Sequence, residues 1–171
     1  MTHPISPLGA IHTAVSLVPL LAGLHSLARH HGIDTATRSG KIYLTGLTLS
    51  VLTSFGVSST GGLNAGHALG VVVLLAAFGG TIAPGLRFLG RLGPYLSALG
   101  LSFSFFLLLI PGTVETLKRL PPDHPLADGP QSPVVQATLL LWLALFLAGF
   151  AAQCWQIHAR HRATAAVRGE A

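Results

Sequence analysis

Asp, Glu, Lys and Arg are absent from four stretches of the chain, 1–28, 42–86, 92–114 and 129–159, which together cover most of its 171 residues. A membrane helix needs about 20 mainly apolar residues, because the hydrocarbon core is about 30 Å thick and each helical residue rises about 1.5 Å. The second stretch is about twice that length, and Gly61-Gly62-Leu63-Asn64-Ala65-Gly66 interrupts it midway. The pattern therefore predicts five transmembrane helices, at 8–28, 42–60, 65–86, 94–112 and 134–157. None of these runs shows the period-two alternation of barrel strands, and in lipid only helices or closed barrels satisfy the backbone. The expected fold is all-α: a polytopic membrane bundle forming one integral membrane domain over 1–171. The connections are short except the last outer one, so successive helices should be antiparallel neighbours.

Small and polar positions within the apolar runs predict how the helices meet. In the second helix Gly46, Ser50, Ser54 and Ser58 recur every fourth residue, and Gly62, Gly66 and Gly70 carry the spacing into the third. In the first, His12, Ser16, Pro19, Gly23, Ser26 and His30 step by three or four, with a kink expected at Pro19. Small residues let membrane helices approach closely, so these stripes are expected to make contacts within the bundle, with self-association as the alternative. Pro121, Pro122, Pro125 and Pro130 should make the connection between helices four and five an ordered, extended one.

Composition agrees with the pattern. Half of the residues are hydrophobic, 9% are charged and the mean hydropathy is +0.64, whereas soluble domains carry about 25% charged residues. The sequence pI near 10.4 does not point to nucleic acid, since the basic residues form short clusters at helix ends. There they act as topology signals and lipid-headgroup partners. The segment before the first helix, Met1-Thr2-His3-Pro4, lacks Lys and Arg, unlike the start of a signal peptide. Arg29, Arg38 and Lys41 follow that helix. Alternating from there, Arg87, Arg91, Arg160, Arg162 and Arg168 join them on one side, and only Lys118 and Arg119 fall on the other. The positive-inside rule makes the expected topology N-out/C-in, with the first loop in the cytoplasm. Cys154 is the single cysteine, so no intramolecular disulfide forms, and no Cys-x-x-Cys-His for covalent haem is present.

Candidate chemistry rests on ionisable groups at membrane depth. His12 near the outer end of helix one, His67 in the first turn of helix three and Glu115 after helix four fall at one level, with Ser54, Ser58 and Asn64 nearby. Such groups are costly in a membrane and face the bundle interior or water. His12, His67 and Glu115 could hold a divalent transition metal, or His12 and His67 could be the axial ligands of haem b. Alternatively, the imidazoles bond loop backbone and Glu115 pairs with Lys118 or Arg119 at helical spacing. His25 lies thirteen residues from His12, about 20 Å along the axis, so it belongs to the inner end, where His158 is a possible partner.

Three runs resemble a bacterial family of predicted membrane proteins of unknown function: Ile11-His12 through Leu24-His25, Ser39-Gly40-Lys41-Ile42-Tyr43, and Gly66-His67-Ala68-Leu69. Its members carry a His in the first helix, an "HR..GR.Y" lead-in to the second and a His opening the third, a pattern likened to di-haem b-type cytochromes. His12, Gly40, Tyr43 and His67 fit; Lys41 stands for the usual Arg, Ala36 for the lead-in His, and no His precedes helix four. The resemblance covers about the first half of the chain and implies a multi-pass protein of a bacterial inner membrane, with electron transfer through haem.

No catalytic residue is assigned: Gly-x-Ser-x-Gly, Walker and His-Glu-x-x-His motifs are all absent. The leading expectation is a haem- or metal-binding redox protein with His12 and His67 near the outer face. The alternative is a non-catalytic accessory or assembly subunit of a larger membrane complex. A small transporter or proton-handling protein ranks third, since five helices leave no room for paired inverted repeats within one chain.

Overall fold

A computed structural model describes residues 7–57 and 64–169, with side chains to Ala166. Every regular element in them is helical: α1 (Pro7–His30), α2 (Arg38–Gly56), α3 (Ala65–Ile82), α4 (Gly93–Arg119) and α5 (Pro133–Gly169), with short 3₁₀ turns at Ala83–Gly85 and Arg87–Leu92. Four segments, Pro7–His30, Ala65–Gly85, Arg87–Arg119 and Pro133–Ala166, are long and apolar enough to cross a membrane. These contain α1, α3, α4 and α5. The expected positions of Ser58, Gly61 and Gly62 lie outside the described residues.

Helix ends follow local chemistry more than the hydrophobic runs. α1 stops at His30 because His31 takes φ 56°, the left-handed conformation that closes a helix. α2 starts at Arg38, four residues before the expected boundary. Thr37 caps it by accepting from the Gly40 N–H at 3.1 Å. α3 gives way after Ile82 to a 3₁₀ turn holding Pro84. α4 continues through Pro111 to Arg119 and α5 to Gly169, both beyond the predicted spans. The connection between them is not extended: the Ala127 N–H returns to Leu117 O at 3.1 Å and Ala127 is buried.

Each helix packs on its sequence neighbour, α1 and α4 also touch, α2 reaches α4 through Tyr43, and α5 packs on α4 with Gln153 also beside Gly32 of the α1–α2 connection. The core comprises Ile33, Tyr43, Leu47, Val73, Ala77, Leu101, Phe105 and Leu107. Part of the small-residue stripes meets inside the chain. A Cβ on Gly46 would come within 3.0 Å of the Pro19 ring, and Ser50 meets Ser16 at 2.6 Å, so that stripe of α2 is the α1 contact. The α3–α4 crossing is tighter still: a Cβ on Gly100 would lie 2.5 Å from Ala76 O and 2.8 Å from the Gly80 Cα. An aromatic row, Phe103 and Phe106 of α4 against Phe146 of α5, with Phe150 stacked on Phe146, joins the last two helices.

Buried polar side chains pair across helices instead of facing lipid. The Tyr43 hydroxyl is 2.7 Å from Ser104 Oγ. Gln153 Nε2 donates to Ser102 Oγ at 3.0 Å, and the serine hydroxyl is 3.2 Å from Gln153 Oε1. Trp142 Nε1 donates to Thr113 Oγ1 at 3.0 Å. Among the described residues no buried side-chain nitrogen or oxygen lacks a partner.

Candidate functional site

His12 projects from α1 onto α2, where its Nδ1 is 2.9 Å from Thr53 Oγ1. The Thr53 hydroxyl also lies 3.0 Å from Leu49 O and 2.9 Å from Ser50 O. A hydroxyl has one proton and both carbonyls can only accept; with that proton turned to its own helix, Thr53 accepts from His12. His12 Nδ1 therefore carries a hydrogen, and Nε2 of the neutral ring holds a lone pair.

His67 is fixed in the opposite sense. Asn64 caps α3 by accepting from the Gly66 and His67 N–H groups, at 2.9 and 3.2 Å. The ring closes a capping box by accepting the Asn64 N–H at Nδ1, 3.0 Å away. An acceptor at Nδ1 places the hydrogen of the neutral ring on Nε2, which then offers a donor and not a lone pair. The ring is buried and stacks on Phe55 with centroids 4.6 Å apart.

The two imidazoles are therefore not brought together as a ligand pair. His12 meets α2 at Thr53 and His67 meets it at Phe55, and two residues along a helix amount to a turn of about 200°. They meet opposite sides of α2, and the backbones of α1 and α3 do not approach one another. Glu115 completes no site with them. Its carboxylate receives Arg119 Nε at 3.0 Å and Nη2 at 2.9 Å, with Lys118 Nζ at 3.8 Å, on a half-exposed surface. Among the described residues no group of three His, Cys, Asp or Glu could hold a metal ion, so the His12, His67 and Glu115 set expected for a metal is not assembled.

The histidines expected at the inner end separate in the same way. His158 is exposed on α5, which does not pack on α1, and His161 sits edge-on to Tyr95. His25 instead lines an open cleft of about 380 Å³ between the end of α1 and the start of α2, with His30, Thr37, Arg38, Ser39 and Ile42. Sequence reasoning placed these basic residues together as topology signals, but the short connection that folds them into one cleft carries no motif.

Comparison with known proteins finds no matching family model, no matching curated protein and no matching solved structure.

Proposed function

We propose that the chain is a five-span inner-membrane protein, N-out/C-in, serving as a non-catalytic accessory or assembly subunit of a larger membrane complex. The observation that carries this reading is where the polar groups are spent. His12, Ser16, Tyr43, Ser50, Ser102, Ser104 and Gln153 each bond a neighbouring helix. His67 is committed to capping α3 and Glu115 to an ion pair. The chemistry at membrane depth thus holds helices together.

α2 is counted as the fifth span although it is the least apolar. Its 19 residues rise about 28 Å, close to the hydrocarbon thickness. Thr48 and Thr53 bond carbonyls of their own helix, while Ser50 and Tyr43 face α1 and α4. An odd span count also accommodates eight basic residues on the inner side against two outside. Cysteine-accessibility labelling should place Pro7 and Ala166 on opposite faces of the membrane, and labelling on one face would remove α2 from the span count. Mild-detergent purification at native expression should recover a stoichiometric larger partner. Recovery of this chain alone, as a monomer, defeats the subunit reading.

A redox protein with haem b or a divalent transition metal is the second reading, supported by the free Nε2 lone pair of His12. It needs another ligand, because His67 would have to leave its capping box. Protein made with ample haem should then show a Soret band that His12→Ala removes. Colourless, metal-free wild type ends this reading.

A further inference from the structure

Where the end of α1 meets the start of α2, the cleft described above is lined by one cation, two imidazoles, two hydroxyls and an apolar lower edge. Arg38 is exposed and makes no hydrogen bond or ion pair among the described residues. His25 and His30 face the same cleft, and each imidazole carries at least one N–H donor in either protonation state. Arg29 and Lys41 are exposed on the two helices beside it. The acidic residue of the connection, Asp34, does not line the cleft; its Oδ1 accepts the Ala36 N–H at 2.9 Å.

Below the cationic rim the same two helices present hydrocarbon. Ile42 is one turn from Arg38 and lines the cleft with it, and is 43% exposed. Leu21, one turn from His25, is 63% exposed and Leu24 57%. Residues four apart share a helix face, so Arg38 and His25 each have an apolar side chain next to them toward the bilayer, Ile42 and Leu21. A small free anion would use the rim and leave these side chains bare. A molecule with an anionic head and hydrocarbon tails covers both.

We propose that this cleft binds the phosphoryl headgroup of an anionic membrane phospholipid, through the Arg38 guanidinium and the His25 and His30 rings, with an acyl chain along Ile42 and Leu21. Guanidinium pairs with phosphate oxygens through two parallel N–H donors. The inference rests on the membrane reading above but not on the topology or the subunit role, because a detergent micelle has no inner or outer face.

The test uses the full chain in mild detergent, titrated with phosphatidylglycerol, phosphatidylcholine and inorganic phosphate, with bound molecules counted by native mass spectrometry. Phosphatidylglycerol should be retained in preference to phosphatidylcholine. Arg38→Gln should weaken its binding by about fivefold, whereas Arg87→Gln, in the connection between α3 and α4, should change it by less than about twofold. Arg38 is exposed and has no polar partner among the described residues, so its replacement leaves the helix pair folded; His25→Ala with His30→Ala gives a second route to the same loss. Equal effects of Arg38→Gln and Arg87→Gln would reduce the result to general surface charge and overturn the site. Equal retention of the two lipids would also overturn it. Inorganic phosphate binding as tightly as phosphatidylglycerol would overturn the lipid assignment.

Discussion

Tyr43 shows how a single hydroxyl organises this bundle. Its ring is fully buried against Phe105, and its oxygen reaches Ser104 on α4. Ser104 Oγ already donates to Leu101 O at 2.8 Å, so the tyrosine supplies the hydrogen between them. Tyr43→Phe should cost about 1 kcal/mol. Ser104→Ala should add little on top of it, measured as a double-mutant cycle in detergent unfolding. Additive losses would mean the two groups act separately. A level along the helices was assignable to His12, His67 and Glu115 by counting from helix ends. Their rotation was not. Whether His67 faces α2 or its own N-cap depends on Asn64 and Phe55, and whether His12 meets His67 depends on which side of α2 each reaches.

Helix ends and crossings answer to different signals. Charge-free runs found all five helices but not their limits, because α4 carries Glu115, Lys118 and Arg119 as an exposed final turn. Such i, i+3 and i, i+4 pairs continue a helix instead of ending it. Thr37 likewise draws α2 back to Arg38. The crossings were more legible, since small residues at fourfold spacing marked the α1–α2 seam. The α3–α4 crossing at Gly80 and Gly100 fell outside those stripes, and only the paired helices reveal that the two glycines meet backbone to backbone. Gly100→Leu should force that crossing apart and cost about 1–3 kcal/mol. Gly112→Leu is the matched control, since nothing lies within 4 Å of a Cβ there. Thermal unfolding in detergent separates them: a large loss for Gly100 alone is expected, and equal losses would place the effect in helix propensity.

Across the whole molecule, α1 to α4 form a connected core while α5 is attached on one side. Its seam is the phenylalanine row, the Ser102–Gln153 pair and the Trp142 bond to Thr113. At 37 residues α5 rises about 55 Å, well beyond a bilayer core. Co-expressed fragments 1–128 and 129–171 should therefore reassemble in the membrane and co-purify, and Gln153→Leu should lower their recovery. Failure of the unmutated fragments to associate would mean that the covalent connection, not the seam, holds α5. This one-sided attachment also has a meaning in time. Chains leave the ribosome N-terminus first, and among the described residues α5 contacts segments already synthesised, α4 above all. The earlier four can be complete before it emerges, so α5 closes assembly without directing it, and faults in it should leave a formed four-helix intermediate behind.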